Sequence, residues 1–330
     1  IMIHITNSKK SGIKSSIFFF VERLIRILPT YILGLLTAFY FTWEVGIFSD
    51  AVKLENLMSA LTFMPYTENY PPLYINADGL FVVRWTLNYE LYFYLVFSIC
   101  LLFSRRQVVI FIWLLLTAAF GYSFANEITL STSGYKTGNP IFSFLTNPIV
   151  FEFALGIAAG YTYISSEKWS KKWKAIFTLV AALVFAIAAF NGAIEGYSLK
   201  TGVVAYFVLV AFIINDEFIS RISPKFFIML GNISFSWYLL HNQFGSYFSW
   251  QVEANNPGVM HGTNGFFIML VASIFVAWLS HKYVEGILTS NIRDKIFSTR
   301  FGKLIDMRKN RKYPNESMAG GAGLGVVAKS

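Results

Sequence analysis

LFVVRWTLNYELYFYLVFSICLLF, the stretch from Leu80 to Phe103, is long and apolar enough to cross a bilayer as a helix, yet it contains Arg84 and Glu90. A helix rises about 1.5 Å per residue, so roughly 20 residues cross about 30 Å of hydrocarbon. Glu90 then lies about 15 Å along the helix from Leu80, near the middle of the bilayer. A carboxylate at that depth costs at least about 2.5 kcal/mol, so such a residue is usually functional and has a partner or a wet cavity.

The helical neighbours of Glu90 are Thr86 and Tyr94, four residues away on either side, and Phe93, three residues away. We therefore expect the carboxylate to lie beside a hydroxyl group and an aromatic wall. The functional interpretation is a charged or proton-accepting group in a cavity. The alternative is a buried carboxylate that only locks the packing of helices.

The composition of the 330-residue chain is typical of an integral membrane protein. Hydrophobic residues make up 55% of the chain and charged residues 14%, whereas a soluble globular domain carries about 25% charged residues. The net charge of +9 does not indicate nucleic-acid binding, because the basic residues cluster in short loops beside apolar segments. Cys100 is the single cysteine, which excludes an intrachain disulfide and a multi-cysteine metal site.

Apolar segments recur along the chain and predict an all-α, polytopic transmembrane helix bundle with about eight spans. They are Ile27–Trp43, Leu80–Phe103, Val108–Phe124, Phe142–Ile164, Ala175–Phe190, Gly202–Asn215, Phe226–Phe248 and Gly265–Val284. Basic loops, the first of them residues 6–26, alternate along the whole chain with loops that are poor in lysine and arginine. The positive-inside rule then predicts a multi-pass protein of the inner or plasma membrane with both visible termini in the cytoplasm.

The spans form one predicted transmembrane domain, residues 1–288, followed by a cytoplasmic tail, residues 289–330. The tail is basic and then rich in Gly, Ala and Ser, so we expect it to be disordered. The loop of residues 44–79 is too long for a bare connection, and its prolines and tyrosines predict a folded cap on the outer face. The opening residues, Ile1-Met2-Ile3-His4-Ile5, look like the exit of an apolar segment, so we expect the sequence to be a fragment.

Arg23 and Arg26 are three residues apart, on one face of the helix that leads into the first predicted span. The planar guanidinium fork suits phosphate oxygens, so the pair predicts a site at the cytoplasmic mouth for an anionic, phosphate-bearing cosubstrate. The alternative is that both arginines only follow the positive-inside bias, with Glu22 spaced to pair with Arg26.

Glu152 and His241 also lie inside apolar segments. Glu152 follows the break made by Pro148, and either a catalytic role or a packing and capping role at the broken turn fits it. His241 lies about 22 Å along its helix, where an imidazole could move a proton beside a carboxylate or simply hydrogen-bond between helices. The other histidines fall at span ends or in a loop, so we expect no metal site and no bound cofactor.

Four stretches resemble the acyltransferase-3 family of membrane-bound O-acyltransferases. They are Arg23-x-x-Arg26-Ile-x-Pro29-x-Tyr31, Trp85-Thr86-Leu87-x-x-Glu90-x-x-Phe93-Tyr94, Phe153-x-x-Gly156-x-x-x-Gly160 and Leu230-Gly231-x-Ile-Ser234-x-Ser236-x-Tyr238-Leu-Leu-His241. Their order and spacing argue against a chance match.

The resemblance implies a bundle of about ten helices and transfer of an acyl group, commonly acetyl from cytoplasmic acetyl-CoA, to a hydroxyl of a polysaccharide, lipid-linked sugar, peptidoglycan or small molecule. It implies that Arg23 and Arg26 engage the CoA end of the donor. It also implies that the Trp85-to-Glu90 helix lines the reaction cavity. The family's catalytic histidine lies in a first helix that this sequence lacks, which is a departure from the family pattern.

We therefore predict an enzyme of the lipid bilayer in which acyl-CoA, the donor cosubstrate, and a carbohydrate or glycolipid acceptor meet near Glu90. Glu90 and His241 are the predicted catalytic residues, and Trp85, Thr86 and Glu152 the predicted lining of the substrate cavity. One alternative is a transporter or flippase of a sugar or lipid-linked precursor that makes no bond. Another is a scaffold in which the polar residues only hold helices together. Thioester-dependent ester formation separates the enzyme from both, and substrate flux separates the transporter from the scaffold.

Overall fold

The computed structural model describes residues 11–42, 48–125, 128–260 and 262–306, and within these ranges the fold is all-helical, as predicted, without strands. A 3₁₀ turn, Val82–Arg84, precedes the third α-helix, and a π-helix, His281–Leu288, precedes the twelfth. The α-helices, α1 to α13 in chain order, are Ile13–Thr42, Ala51–Thr62, Trp85–Cys100, Arg106–Ala125, Pro140–Thr146, Val150–Ser166, Lys171–Phe190, Leu199–Ile214, Asp216–Ile222, Lys225–Asn255, Gly262–Ser280, Thr289–Ser298 and Arg300–Ile305.

Within the described ranges, five helical segments are long and apolar enough to cross a membrane. They are Ile13–Phe41, Arg106–Ala125, Pro140–Ser166, Lys171–Phe190 and Gly262–Ser298. Helices α8 and α9, bent by 75° at their junction, make a sixth when counted as one broken span. The predicted count of about eight is not confirmed, because α3 is only 16 residues long and the 31-residue α10 carries several polar side chains along its length.

The chain divides into two compact units. The Glu152 unit comprises Ile1–Ser11, Pro65–Ile75 and Phe103–Ser223, and the Glu90 unit comprises Gly12–Met64, Asn76–Leu102 and Pro224–Ser330. In the Glu152 unit, α6 and α7 both pack against α8. Its buried residues include Ala159, Val210 and Ile214, which form one apolar cluster.

In the Glu90 unit, α1 and α3 run antiparallel. Near the start of α1, the hydroxyls of Ser16 and Ser98 lie 2.9 Å apart. Further along α1, the ring of Tyr31 lies 5.3 Å from the ring of Phe81, which precedes α3. The first half of α1 therefore lies beside the second half of α3.

Helices α10 and α11 of the same unit form an antiparallel hairpin. The indole Nε1 of Trp237 donates a hydrogen bond to the Ser273 hydroxyl at 3.0 Å, and the hydroxyl oxygens of Ser236 and Ser280 lie 2.9 Å apart. Ser280, the later residue of α11, thus contacts Ser236, the earlier residue of α10, as expected for antiparallel helices.

The ends of these helices fix the direction of α10 relative to α1. Phe41, near the end of α1, stacks on Tyr247 of α10 with ring centroids 4.1 Å apart and planes 11° apart. Phe18, near the start of α1, packs on Phe297 of α12, which follows the hairpin, with centroids 5.4 Å apart. Helix α10 therefore runs parallel to α1 and antiparallel to α3.

The α-helix that carries Glu90 begins later than the predicted span. Phe81 has a φ of 56°, and α3 begins only at Trp85, after the 3₁₀ turn. The Phe81 ring occupies the space beside Gly34 of α1, where an added Cβ would lie 2.5 Å from its Cζ. Tertiary packing therefore sets the start of α3, and Glu90 lies about 7.5 Å, not about 15 Å, from that start.

Helix α1 begins at Ile13, within the segment predicted as a basic loop. Phe18 and Ile25 from this segment are buried in a cluster with Phe297 and Ile305. Apolar residues that stand between the basic residues thus form a buried helix face, which the charge pattern alone did not indicate.

The same cluster orders part of the predicted tail. Residues 289–305 form α12 and α13 because Phe297 and Ile305 are buried against α1, so the expected disorder does not apply to them. Residues 307–330 of the predicted tail, and the first ten residues expected to begin a fragment, lie outside the described residues.

The described part of the predicted cap is folded. Asp50 caps α2, because its Oδ1 accepts hydrogen bonds from the backbone N–H groups of Val52 at 2.9 Å and Lys53 at 3.2 Å. The Tyr31 hydroxyl of α1 donates to the carbonyl oxygen of Ala60 at 2.6 Å. Helix α2 is thereby fixed to α1 within the Glu90 unit.

Glu68 anchors the later part of this loop within the Glu152 unit. Its Oε1 accepts hydrogen bonds from the backbone N–H of Thr137 at 3.0 Å and from the Ser143 hydroxyl. Burial raises the pKa of the Glu68 carboxyl, but the hydrogen bonds from Ser143, Thr137 and Gly138 outweigh burial and hold the pKa below its ordinary value. Glu68 therefore stays ionised at neutral pH.

Candidate active site

Glu90 is half-buried on α3 and accepts a hydrogen bond from the phenolic hydroxyl of Tyr94, one helical turn later. The helical spacing predicted this hydroxyl neighbour. One oxygen of the carboxylate is thereby oriented, while the other keeps its capacity to accept a proton or a hydrogen bond.

Arg23 of α1 lies against the same tyrosine. Its guanidinium carbon is 5.3 Å from the centroid of the Phe19 ring and 5.4 Å from the centroid of the Tyr94 ring. The Arg23 side chain is only 9% exposed, so the cation–π contacts form away from water, where they are strongest. Arg23, Tyr94 and the half-buried Glu90 therefore form one polar group at the contact of α1 and α3.

The predicted arginine pair lies inside α1 and not at its start. Because α1 begins at Ile13, Arg23 lies about 15 Å along the helix. Arg23 is covered by aromatic rings, whereas Arg26 is half-buried. The two guanidinium groups thus have different surroundings within the Glu90 unit.

Thr86, one turn before Glu90, links α3 to α10. Its hydroxyl lies 2.7 Å from the hydroxyl of Tyr238, with either group able to donate, and the Tyr238 hydroxyl also lies 3.1 Å from the carbonyl oxygen of Val83. Trp85 is buried and makes an edge-on contact with Tyr89 at 6.2 Å between centroids. Trp85 is therefore packed against Tyr89 of its own helix, whereas Thr86 contacts α10, the helix that carries His241.

His241 is exposed on α10, one turn after Tyr238. Its Nδ1 lies 2.8 Å from the carbonyl oxygen of Tyr238 and 3.1 Å from that of Trp237. Carbonyl oxygens only accept hydrogen bonds, so Nδ1 carries a proton and Nε2 of the neutral ring is an acceptor. The imidazole therefore has a nitrogen that can take a proton.

Glu90 and His241 lie on opposite sides of the contact between Thr86 and Tyr238. Since α3 and α10 are antiparallel, Glu90 is displaced toward the start of α1 and His241 toward its end. Among the described residues, the hydrogen-bond partner of Glu90 is Tyr94, and those of His241 are backbone carbonyls. Within the described residues, the two predicted catalytic residues therefore lie on either side of the Thr86–Tyr238 contact and are not hydrogen-bonded to each other.

Two cavities of the Glu90 unit open beside α10. The first, about 470 Å³, lies between α10 and α11 and is lined by residues that include Tyr238, His241, Phe266 and Met269. The second, about 270 Å³, lies where α1 ends and is lined by later residues of α10 together with Phe41 and Phe81. His241 therefore borders a largely apolar cavity, and the second cavity lies on another face of the same helix.

A second acidic group, which the sequence interpretation missed, lies between α10 and the π-helix. Glu285 accepts a hydrogen bond from the Ser236 hydroxyl, and its Oε2 lies 3.3 Å from Nδ1 of His281. The Glu285 side chain is only 11% exposed. The π-helix is a signal for a functional segment, but the sequence does not reveal this helix type.

Asn88 is a further polar residue that the sequence interpretation passed over. Its side chain is 2% exposed, and neither its oxygen nor its nitrogen has a hydrogen-bond partner within the part of the chain that the structure describes. Burying an unsatisfied amide costs about 1–3 kcal/mol. The sequence did contain a signal for this residue, because an amide side chain stands two residues before Glu90 in an otherwise apolar helix.

Glu152 belongs to the other unit and lies in the first turn of α6, after the break predicted at Pro148. Its side chain packs against α8, where an added Cβ on Gly202 would lie 3.2 Å from Glu152 Cγ. The Asn147 side chain accepts a hydrogen bond from the backbone N–H of Ile149 at 2.9 Å across the break. Glu152 thus lies just after a turn that the Asn147 side chain closes, and close to a glycine of the neighbouring helix.

Comparison with known proteins identifies one family. The family model described as an acyltransferase domain matches residues 10–282, a range that includes Arg23, Glu90, Glu152 and His241. No curated protein and no solved structure matches the chain.

Proposed function

The chain belongs to the acyltransferase-3 family, and from this premise we propose that it transfers an acyl group, most simply acetyl, from cytoplasmic acyl-CoA to a hydroxyl of a cell-surface or lipid-linked carbohydrate. The family and the apolar helices support a multi-pass membrane acyltransferase. The donor, the acetyl group and the acceptor are parts of the proposal.

The observation that carries the proposal is the polar group formed by Arg23, Tyr94 and Glu90. A guanidinium and a carboxylate are linked there by one tyrosine, whose hydroxyl binds Glu90 and whose ring lies against Arg23. Ionisable groups inside a membrane protein are expensive and usually serve transport or catalysis. In this group, the Arg23 guanidinium is a cation that could attract an anionic donor, and the Glu90 carboxylate is a group that could accept a proton.

In the proposed reaction, the acceptor hydroxyl oxygen attacks the thioester carbonyl carbon. A C–O bond forms, the C–S bond breaks, the hydroxyl proton passes to a base and the CoA thiolate receives a proton. Glu90 acts on the side of the donor, beside Arg23, and Nε2 of His241 is a second proton acceptor toward the other end of the unit. General-base assistance contributes typically about 10²- to 10⁴-fold to such a reaction.

The arginines divide the work of donor binding. Arg26, which is half-buried, contacts the phosphate groups of CoA through its planar fork. Arg23 is fixed over two aromatic rings and contributes a positive potential behind the thioester. Trp85 and Thr86 precede Glu90 by about one helical turn and are the proposed wall of the reaction site, although neither is among the residues that line the two described cavities.

The test compares the parent with Glu90→Gln in the protein expressed from its full gene. Membranes receive labelled acetyl-CoA, and ester-linked label is measured in the polysaccharide and glycolipid fractions. We expect Glu90→Gln to fold, by thermal stability in detergent, and to lose at least about 100-fold of the transfer. Glu167→Gln, an exposed substitution at the end of α6, is the matched control.

A stable Glu90→Gln protein with parental transfer would remove Glu90 from the mechanism. Carbohydrate flux across the membrane without ester formation by the parent would replace the enzyme with a transporter. A packing role predicts a different pattern, because an uncharged isostere relieves the cost of a buried carboxylate and leaves activity unchanged.

A further inference from the structure

The second cavity of the Glu90 unit, here named the Gln243 pocket, is formed by one face of α10 and the end of α1. Ser246, Tyr247 and Trp250 lie three, four and seven residues after Gln243, so the four residues share a helix face. Phe41 of α1 closes one side by stacking on Tyr247 at 4.1 Å. The pocket is therefore a built feature of packed helices, separate from the cavity that His241 borders.

The lining of the Gln243 pocket combines aromatic rings with uncharged hydrogen-bonding groups. Phe41, Phe81, Tyr247 and Trp250 supply the rings, and Ser246 and the amides of residues 242 and 243 supply the polar groups. None of the described residues that line it carries a charge. A ligand with this complementarity is neutral, with apolar C–H faces and a rim of hydroxyl groups.

Gln243 adds a specific requirement. Its Oε1 is buried and accepts no hydrogen bond from the residues that the structure describes. A buried acceptor without a donor costs free energy that a ligand hydroxyl would recover. The glutamine therefore favours a hydrogen-bond donor such as a sugar hydroxyl over an apolar chain.

Size and exposure agree with a single ring. The volume of about 270 Å³ is just below the range of about 300–1000 Å³ that is usual for ligand pockets. Trp250 is 65% exposed, so its face is available for stacking. The positive C–H edges of a pyranose ring complement the negative face of an indole.

We propose that the Gln243 pocket binds one neutral pyranose ring of the acceptor, with a ring hydroxyl donating to Gln243 Oε1 and a C–H face against Trp250. This subsite rests on the proposed function for its role in acyl transfer, and it excludes acidic sugars, which would bury an uncompensated carboxylate.

The test uses saturation-transfer NMR of the full-length protein in lipid nanodiscs, which detects weak binding and avoids sugar-based detergents. The probes are methyl glucoside, methyl galactoside and methyl glucuronide. Neutral glycosides should give signals that fall at least tenfold in Gln243→Leu and in Trp250→Ala, and the glucuronide should give none. The matched controls are Gln107→Leu and Trp173→Ala, both exposed in the Glu152 unit, and both should bind as the parent does.

The proposal is overturned if no neutral glycoside binds the parent, if the glucuronide binds equally well, or if both pocket variants bind like the parent while folded. Trp250→Ala keeps the test decisive if Gln243→Leu fails to fold, because Trp250 is largely exposed. Glycoside binding without any ester formation would support the subsite and contradict the acyltransferase proposal. Ester formation without glycoside binding would support acyl transfer and contradict the subsite.

Discussion

The hydroxyl oxygens of Thr86 and Tyr238 lie 2.7 Å apart, and this contact joins the helix that carries Glu90 to the helix that carries His241. Each residue precedes its ionisable neighbour by one helical turn, on antiparallel helices. The contact therefore separates Glu90 and Arg23 on one side from His241 on the other. The two predicted proton acceptors of the Glu90 unit therefore lie at different levels along the helices.

We expect the Thr86–Tyr238 contact to contribute a measurable coupling free energy. Interhelical hydrogen bonds in membrane proteins average about 0.6 kcal/mol and reach about 1.7 kcal/mol. Thr86→Val and Tyr238→Phe, alone and combined, should show a coupling within this range when unfolding is measured in detergent. Tyr122→Phe, an exposed tyrosine of the Glu152 unit, should change stability little. Strictly additive single effects would mean that the hydroxyls do not interact.

Arg26→Lys should weaken CoA binding by more than the loss of a single hydrogen bond explains, because lysine keeps the charge but loses the planar fork. The measurement is calorimetric titration of the protein with CoA. Arg23→Lys should also lower thermal stability, since the guanidinium contacts the rings of Phe19 and Tyr94. Arg105→Lys, in a predicted cytoplasmic loop, is the control. Parental affinity in Arg26→Lys would contradict the proposed role of the arginine fork.

The orientation of the chain in the membrane is tested by labelling. Cysteines placed at Ser133 and Gly258 should react with an impermeant thiol reagent on intact cells, whereas cysteines at Ser170 and Ser298 should not, because basic loops stay in the cytoplasm. The native Cys100 is buried and is replaced by alanine beforehand. Labelling at Ser170 without labelling at Ser133 would reverse the predicted topology.

Acid should destabilise the Glu152 unit through Glu68. The native pKa of Glu68 lies below its ordinary value, so its contribution is complete above about pH 4.3, the usual unfolded pKa, and is lost as the pH falls through the native pKa. Thermal unfolding of Glu68→Gln should therefore show a lower stability at pH 7 and a flatter dependence on acid.

The control for this prediction is Glu217→Gln. Glu217 pairs with Arg221, but their side chains are 85% and 73% exposed, and such surface pairs contribute about 0–1 kcal/mol. An acid profile of Glu68→Gln that overlays the parental profile would show that the hydrogen bonds from Thr137 and Ser143 do not couple protonation to folding.

Local patterns in the sequence were enough for the helical fold class, the family and the neighbours of Glu90 on its own helix. Apolar segments force helices because backbone groups in lipid must be satisfied internally. The four-residue spacing placed Tyr94 beside Glu90, and the structure has that hydrogen bond. Pro148 correctly marked the break between α5 and α6.

Helix limits depended on contacts that no local pattern contains. Phe81 packing on Gly34 delays the start of α3, and Phe297 packing on Phe18 orders residues of the predicted tail. Both contacts join residues far apart in the chain, so the hydropathy of either segment alone does not reveal them.

By itself, the sequence determined that the chain is a helical membrane protein of the acyltransferase-3 family, and it supplied candidate residues for its chemistry, because charge, hydropathy and motif spacing are local properties. Only the tertiary structure decided that Arg23 lies over Tyr94, that Glu90 and His241 are separated by the Thr86–Tyr238 contact, and that Gln243 borders an uncharged aromatic pocket. These relationships depend on the direction and packing of α1, α3 and α10. That packing is set by the sum of many distant side-chain contacts.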